Sequence, residues 1–467
     1  MGVVNLGPDR IAAALGAEVL AEGPAGSPLR ASIDSNRTGP GDLFFGLPGA
    51  NHDGGAFAPA AIEAGAWGVV VGPASRSHFS TSAVDERERR AAGVGGDAGA
   101  AWVFAVADPL ASMQALAREW RRALGAPVVG ITGSVGKTSV KDITRALLSG
   151  RVHASEQNQN TEIGLPLTLL AAPETTERLV LEMAMRGAGQ IRELGEIAEP
   201  DVAVITNVGP VHVELLGSVA AIAAAKAEIL ATLRPGGTAV APVAAGELEP
   251  HLEGLERLLR FGPGGDVEAL EVAVEGGVTE ALIGSPLGRH RFHFPFAEAH
   301  NLTNALAAIA AGVGLGIDPG DMADGAASIG FSRFRGERLE LRDGIVLVND
   351  CYNANPVSMR AALDHLATLG APRTLAVLGE MGELGADTPA FHREVGEFAR
   401  ATGVDVVVGV GELAREYDPD ELVADPPEAA EWLAAQLEPG DAILVKGSRS
   451  AGLETVAELL GPLLEAS

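Results

Sequence analysis

The chain has 467 residues, a length that calls for about three domains. Its 62 acidic residues against 34 basic ones leave a net charge of −28, a field that repels nucleic acid phosphates and anionic lipid headgroups. Hydrophobic residues at 47% and charged residues at 21% lie near globular averages and exclude global disorder.

A single cysteine, Cys351, allows no intramolecular disulfide and no cysteine-based zinc site, which points to a reducing, cytoplasmic setting. The first ten residues lack a basic region followed by an apolar one, and Leu6 stands where a myristoylation signal needs Ser or Thr. The apolar stretch 302–317 falls short of the roughly 18 residues a membrane span needs. The expectation is a soluble monomer with no nucleic acid partner and no membrane insertion.

Residues 1–108 alternate short apolar runs, as at 42–47 and 67–71, with Gly/Pro turns, and read as a small N-terminal α/β domain. Within them, 81–101 carries a charged run and then Gly-rich sequence, the pattern of a surface loop or insertion. Asp108-Pro109 opens an amphipathic helix through Leu124, taken as the start of a central domain, 109–330. Strands at 128–131, 179–181 and 202–206 alternate with helices, which implies a mostly parallel sheet of βαβ units. Residues 267–296 alternate apolar with polar residues between Gly turns, as an appended antiparallel meander does. From 331 to 467, strands at 345–348, 375–378 and 443–445 each run into a loop. This predicts a doubly wound, Rossmann-like C-terminal domain, with ligands at the carboxyl ends of its strands. The fold class is therefore α/β in three domains.

Between strand 128–131 and a helix lies a glycine-rich turn, Gly133-Ser134-Val135-Gly136-Lys137-Thr138-Ser139. Glycines let several N–H groups face a polyphosphate, Lys137 neutralises charge, and the Thr138 hydroxyl can hold magnesium. The common P-loop spacing puts its first glycine at position 131, where this chain has Ile131. Nucleotide binding is the reading preferred over a bare helix-starting turn.

The chain has only four lysines, Lys137, Lys141, Lys226 and Lys446, among its 34 basic residues. So strong a preference for Arg suggests that each Lys does something a guanidinium cannot. Lys141, one turn after Lys137, reads as helix surface. Lys226 falls on the apolar stripe of Val219, Ile222, Ile229 and Leu230. Burial there would lower its pKa and leave an amine able to take up carbon dioxide as a carbamate, an anionic ligand for magnesium. Spacing alone leaves open a lysine that snorkels at the rim of a packing face.

Taken together, these segments resemble the Mur ligase family, the ATP-dependent amide ligases of peptidoglycan synthesis. The resemblance rests on the phosphate loop, on Asn158-Gln159-Asn160-Thr161-Glu162-Ile163-Gly164-Leu165-Pro166, on Glu182, His212 and Lys226, and on His300-Asn301-Leu302-Thr303-Asn304. Asn349-Asp350-Cys351-Tyr352-Asn353-Ala354-Asn355-Pro356 is similar to the branch that adds D-alanyl-D-alanine to a UDP-N-acetylmuramoyl-tripeptide. So are Gly379-Glu380-Met381-Gly382 followed by His392, and Lys446-Gly447-Ser448-Arg449. Asp34-Ser35-Asn36-Arg37 resembles that branch's uridine-diphosphate segment, with Asn36 interrupting it. Thr161 replaces an expected Asn, and Leu453 an expected Met.

The resemblance implies that ATP phosphorylates the tripeptide's terminal carboxylate, that the amine of D-Ala-D-Ala captures the acyl phosphate, and that ADP and phosphate leave. It implies catalytic roles for Lys137, Glu182, His212 and Lys226. ATP would sit on residues 133–139 with Asn301, Arg338 and Asp350. Thr138 and Glu182 would hold one Mg²⁺, and His212 with carbamylated Lys226 a second. Ser35, Arg37, Asn160, Thr161, Tyr352, Asn353, Asn355 and Lys446 would bind UDP-MurNAc-tripeptide and D-Ala-D-Ala. Turn propensity alone would also place Asn353, Asn355 and Pro356 together. Lys446 meets either the acceptor's carboxylate or the acyl phosphate. Closure of the C-terminal domain over the nucleotide is expected. The alternatives are another ligase of the family, or a P-loop ATPase, kinase or regulatory module without ligation.

Overall fold

The computed structural model describes residues 5–49, 52–79, 101–156, 158–211 and 213–466. Most of the expected surface loop at 81–101, all but Ala101, and the candidate ligand His212 lie outside the described residues.

Four sheets carry the architecture. Strands β1 (Glu18–Ala21), β2 (Arg30–Ser32), β3 (Asp42–Phe45), β4 (Gly68–Val71) and β5 (Trp102–Ala105) form the first. Its order is β1-β5-β4-β3-β2, parallel except for β1. Strands β6 (Val128–Thr132), β7 (Val152–Ala154), β8 (Arg178–Glu182), β9 (Val202–Ile205), β10 (Thr238–Pro242) and β11 (Leu258–Phe261) make an all-parallel sheet in the order β11-β10-β9-β6-β8-β7. Its central strands are apolar and buried along their length, as parallel strands covered on both faces are. The meander is present as strands β12 (Glu268–Glu275), β13 (Val278–Ser285) and β14 (Gly288–Phe294). Phe292, Phe294 and Phe296 stack in series, 5.5 and 5.1 Å between ring centres, inside the core that also holds the helix Ala299–Gly314.

The last sheet contains β15 (Glu337–Glu340), β16 (Val346–Asn349), β17 (Thr374–Leu378), β18 (Val406–Val410), β19 (Glu421–Val423) and β20 (Ala442–Lys446). Its order is β15-β16-β20-β17-β18-β19, with only the edge strand β15 antiparallel. Separate apolar clusters, one with Leu347, Leu375 and Ile443 and one with Val348, Ala376 and Leu444, cover its two faces. That is the doubly wound arrangement the sequence predicts.

The helix Pro109–Leu124 forms where its caps dictate. The Asp108 carboxylate accepts from the Leu110 and Ala111 N–H groups, Pro109 opens the helix, and Gly125 at φ 63° closes it. It is shared by the first two sheets. The Ser112 hydroxyl donates to Leu15 O at 2.9 Å on the N-terminal side. On the central side, Trp120 Nε1 donates to Ala172 O at 3.1 Å and buried Arg121 donates to Ala198 O at 2.7 Å. One apolar cluster therefore runs from Leu6 and Ile11 through Trp120 to Leu165 and Ile191. Among the described residues no helix is long and apolar enough to cross a membrane.

Candidate active site

Parallel register gathers the site. Strand β6 lies between β8 and β9, with Ile131 opposite Glu182 and Thr132 opposite Ile205. The glycine-rich turn, Glu182 and the segment after β9 therefore emerge side by side at one carboxyl edge. The turn is braced from behind. The Thr206 hydroxyl donates to Val135 O at 2.6 Å, Val135 N–H donates to the Asn207 side-chain oxygen at 2.9 Å, and Ser134 N–H donates to Asn207 O at 3.1 Å. Two glycines shape the turn. Gly133 has φ 153°, and a Cβ would overlap the Thr206 hydroxyl. Gly136 has φ 80°, and a Cβ would come within 2.5 Å of the Asn304 side-chain oxygen.

From this turn springs the helix Lys137–Leu147. Its Thr138 hydroxyl donates to one oxygen of Glu182 at 2.9 Å, and the Asn160 side-chain amide donates to the other at 2.9 Å. Glu182 is buried, and among the described residues it forms no ion pair. A buried carboxylate beside a hydroxyl, without a cationic partner, suits a hard divalent cation whose other ligands are phosphate oxygens and water. Among the described residues no group of three or more His, Cys, Asp or Glu side chains gathers at metal-binding distance. Lys137 donates to Gly133 O at 2.8 Å, and burial lowers its pKa against the opposing pull of Glu182.

Lys226 is buried, and its pKa is held well below the usual lysine range, first by desolvation and then by the charge of Lys137. Burial therefore shifts its amine toward the neutral form. Lys141 corrects the sequence reading: it is buried rather than on the surface, donates to Ser155 O at 3.0 Å and pairs with Asp142 at 2.9 Å. Asp142 in turn accepts from Ser332 N–H and hydroxyl at 2.9 and 2.8 Å, which ties the phosphate-loop helix to the start of the C-terminal segment.

Facing the phosphate loop are the carboxyl ends of β16, β20 and β17. Asn349 lies opposite Val445, so the next residues, Asp350 and Lys446, meet. Buried Lys446 donates to the Asp350 carboxylate at 2.6 Å, to Asp350 O at 3.3 Å and to Asn353 O at 3.1 Å. Asn355 caps the helix Pro356–Thr368 in a reciprocal pair with Ser358, and the Asn353 side-chain oxygen accepts from Ala354 N–H at 2.9 Å. Turn and cap formation thus accounts for the acceptor oxygens of both asparagines. His392, buried, accepts from Met381 N–H at 3.0 Å, and its Nδ1 donates to Thr388 O at 2.7 Å. This neutral histidine braces the loop after β17, and burial keeps its pKa low.

Two cavities open between these walls. The smaller, about 280 Å³, takes in Ser134 to Ser139 together with Asn301, Asp350 and Lys446. The larger, about 770 Å³, takes in Asn160, Thr161 and Tyr352 with Arg186 and Arg449. Ser134, Lys137, Glu182, Arg335, Asn353 and Asn355 line both. Above the smaller cavity His365 meets Glu298 at 3.3 Å, a contact between the C-terminal and central parts. Arg186 and Glu383 span the larger one at 3.7 Å. The two parts are thus already joined on both sides.

Some predicted residues lie elsewhere. Arg338 is on the edge strand β15, exposed, 3.7 Å from Glu340, and lines neither cavity. Arg335, which sequence reasoning missed, lines both. Ser35 and Arg37 sit in a turn of the N-terminal sheet, where Arg37 O accepts from Arg30 at 2.7 Å, and they too are outside both cavities. Gly133 is the one member of the phosphate loop not on a cavity wall; it acts through backbone shape.

The fold and this site define a protein whose glycine-rich phosphate loop lines one cavity that adjoins a second, larger one. Comparison with known proteins places it further. Residues 131–312 match the Mur ligase middle domain, and residues 334–449 match the Mur ligase glutamate ligase domain. The UDP-N-acetylmuramoyl-tripeptide–D-alanyl-D-alanine ligase of Synechocystis sp. is 37% identical over 90% of this chain and 89% of that protein. MurF from Thermotoga maritima in complex with ADP superposes with a TM-score of 0.79 at 30% identity, covering 94% of this chain and 98% of that one. MurF from Acinetobacter baumannii gives 0.86 at 25% identity, covering 98% and 100%. The chain belongs to the Mur ligase family.

Proposed function

We propose that the chain is an ATP-dependent ligase that joins D-alanyl-D-alanine to UDP-N-acetylmuramoyl-tripeptide in cytoplasmic peptidoglycan precursor synthesis. One observation carries the reading: a phosphate-loop cavity and a larger cavity share Lys137 and Glu182 on a common wall. A terminal phosphate on one side of that wall and a carboxylate on the other can meet. A carboxylate is a poor electrophile until one oxygen becomes a leaving group. The carboxylate oxygen bonds to the γ-phosphorus, and the P–O bond to the β-phosphate breaks with its electron pair left on ADP. The dipeptide amine then forms the C–N bond, the C–O bond to phosphate breaks, and the amine proton is lost.

The chain's own groups set this up. Backbone N–H groups and the helix N-terminus at Gly136 face the polyphosphate, and a phosphate's charge favours the ammonium form of Lys137. Thr138 and Glu182 are the residues proposed to hold Mg²⁺, which when bound supplies the positive charge that lets two anions approach. Lys226, its amine shifted toward the neutral form by burial, is proposed to be carbamylated, and the carbamate with His212 to hold a second Mg²⁺. Asn301 lies on the proposed adenine side. Asp350, steadied by Lys446, is proposed to accept from ribose hydroxyls; with its amine committed there, Lys446 acts through Asp350. Arg338, outside both cavities, is proposed to act on the nucleotide only at a distance, through its charge. Asn160, Thr161, Tyr352 and the free amide N–H groups of Asn353 and Asn355 are assigned to the peptide substrates, and Ser35 and Arg37 to the uridine diphosphate. The proposed division of labour gives the UDP-sugar to residues 1–108, ATP to 109–330 and the acceptor to 331–467. Action as a monomer is part of the proposal.

Phosphate release tests this. It is expected only when ATP, UDP-MurNAc-tripeptide and D-Ala-D-Ala are all present. Turnover independent of acceptor, or preference for a single amino acid over the dipeptide, overturns the assignment.

A further inference from the structure

We infer that His392, which lines neither cavity, is a positioning residue of the ligation: it holds the loop 379–384 in the shape that receives the acceptor dipeptide in the larger cavity. The inference rests on the ligase reading above and on its assignment of the acceptor to residues 331–467. Gly382, Glu383 and Leu384 line the larger cavity, beside Ser448, Arg449 and Ser450 of the loop after β20.

Hydrogen bonds join these two loops to each other. Gly379 N–H donates to Lys446 O and Ser448 N–H to Glu380 O, both at 2.9 Å, and Gly382 N–H donates to the Ser448 hydroxyl oxygen at 2.8 Å. The Ser450 hydroxyl donates to the Glu380 carboxylate at 2.6 Å. His392 ties the joined loops to the helix behind them, Thr388–Ala401, through the bond that its Nε2 accepts from Met381 N–H at 3.0 Å.

The imidazole is itself held so that one nitrogen is left for that task. Its Nδ1 donates to Thr388 O at 2.7 Å, one helical turn back, which leaves Nε2 as the acceptor. The ring is fully buried and packs on the Tyr417 ring, 4.8 Å between centres, and Tyr417 donates to Gly379 O at the other end of the loop. Met381 and Leu384 sit in the same apolar cluster as Tyr417. Between them Glu383 takes φ 62°, a left-handed conformation that a residue with a side chain keeps only where its neighbours hold it. The cavity wall is therefore a strained turn held from behind. A buried N–H that loses its acceptor is costly, and a turn already under strain relieves that cost by moving.

The test uses the full chain with ATP, UDP-MurNAc-tripeptide and D-Ala-D-Ala. His392→Leu fills the space without an acceptor atom. It should raise the KM for D-Ala-D-Ala by about 5- to 150-fold, the equivalent of one buried donor left unpaired. The KM for UDP-MurNAc-tripeptide and the Kd for ADP should stay at wild-type values. His392→Gln places an amide oxygen near the position of Nε2 and should bring the acceptor KM back toward the wild-type value. Wild-type acceptor KM in His392→Leu overturns the inference, as does a rise confined to the KM for UDP-MurNAc-tripeptide. So does an equal rise in His392→Gln, or a parallel loss of ADP affinity, either of which would make His392 a general core residue. If His392→Leu does not fold, His392→Asn, whose amide reaches only the Nδ1 position, carries the decision. Raised acceptor KM with wild-type ADP affinity supports the role, and wild-type acceptor KM refutes it. Failure of the wild-type protein to ligate at all would instead refute the reading of function.

Discussion

Replacing Gly133 with alanine tests whether the phosphate loop is pre-shaped by its backbone. Gly133 holds φ 153°, and an added Cβ would occupy the space of the Thr206 hydroxyl. Forcing a side-chain-bearing residue into that conformation costs about 1–3 kcal/mol. Displacing Thr206 also breaks its 2.6 Å bond to Val135 O, a further loss of about 0.5–1.5 kcal/mol. Together these put the binding-competent loop roughly 2–4 kcal/mol above a relaxed one, so ADP affinity should fall by about 30- to 1000-fold. Gly136→Ala meets only the movable Asn304 side chain and should lose about 1–2 kcal/mol, near tenfold. Gly16 is the control: its φ is 62° with open space around it, at the end of the helix Pro8–Leu15. Gly16→Ala should lower the melting temperature and leave ADP binding alone. Titration calorimetry with ADP and Mg²⁺ reads all three. Wild-type affinity in Gly133→Ala, or an equal loss in Gly16→Ala, refutes the argument.

Lys226→Ala should lose activity and regain part of it with small carboxylates that stand in for a carbamate; full activity without rescue contradicts the proposed role. Tyr417 is buried and its hydroxyl donates to Gly379 O at 2.8 Å, so Tyr417→Phe leaves that carbonyl without its donor and should cost about 1–3 kcal/mol in denaturant unfolding. An unchanged midpoint would show the bond to be dispensable. Burial holds the pKa values of His153, His300, His365 and His392 below the ordinary histidine value. Folded chains therefore stay neutral at these sites where unfolded chains protonate. Their contribution to stability falls as pH drops below about 6.5, and unfolding near pH 6 should take up protons. Calorimetric unfolding in two buffers of different ionisation heat reads this; zero uptake or release contradicts it.

The sequence was most informative where local spacing and fold geometry coincide. Glycines between a strand and a helix gave the phosphate loop, and alternation at 267–296 gave the meander, because both signals are local. Thr138, Glu182 and Asn160 were each singled out, but only the β6–β8 register brings them into one hydrogen-bonded group. The Asp350–Lys446 pair is likewise a product of the β16–β20 register across 96 residues, invisible to any window. Arg333, Arg335 and Arg338 read alike in one dimension. The positive φ of Phe334 and the edge position of β15 decide which of them reaches the cavities. Lys141 looked exposed because helix spacing does not reveal that Ser155 O lies beneath it. Turn chemistry at Asn353 and Asn355 was legible in full, and it accounts for more of those side chains than substrate recognition does.

The central claim is that a carboxylate on one side of the wall formed by Lys137 and Glu182 is phosphorylated from the other. Running the reaction with ¹⁸O in the tripeptide's terminal carboxylate tests it most directly. Attack by the carboxylate on the γ-phosphate leaves one labelled oxygen in the released phosphate, and the account predicts one ¹⁸O per phosphate formed. Unlabelled phosphate released alongside amide product would contradict it.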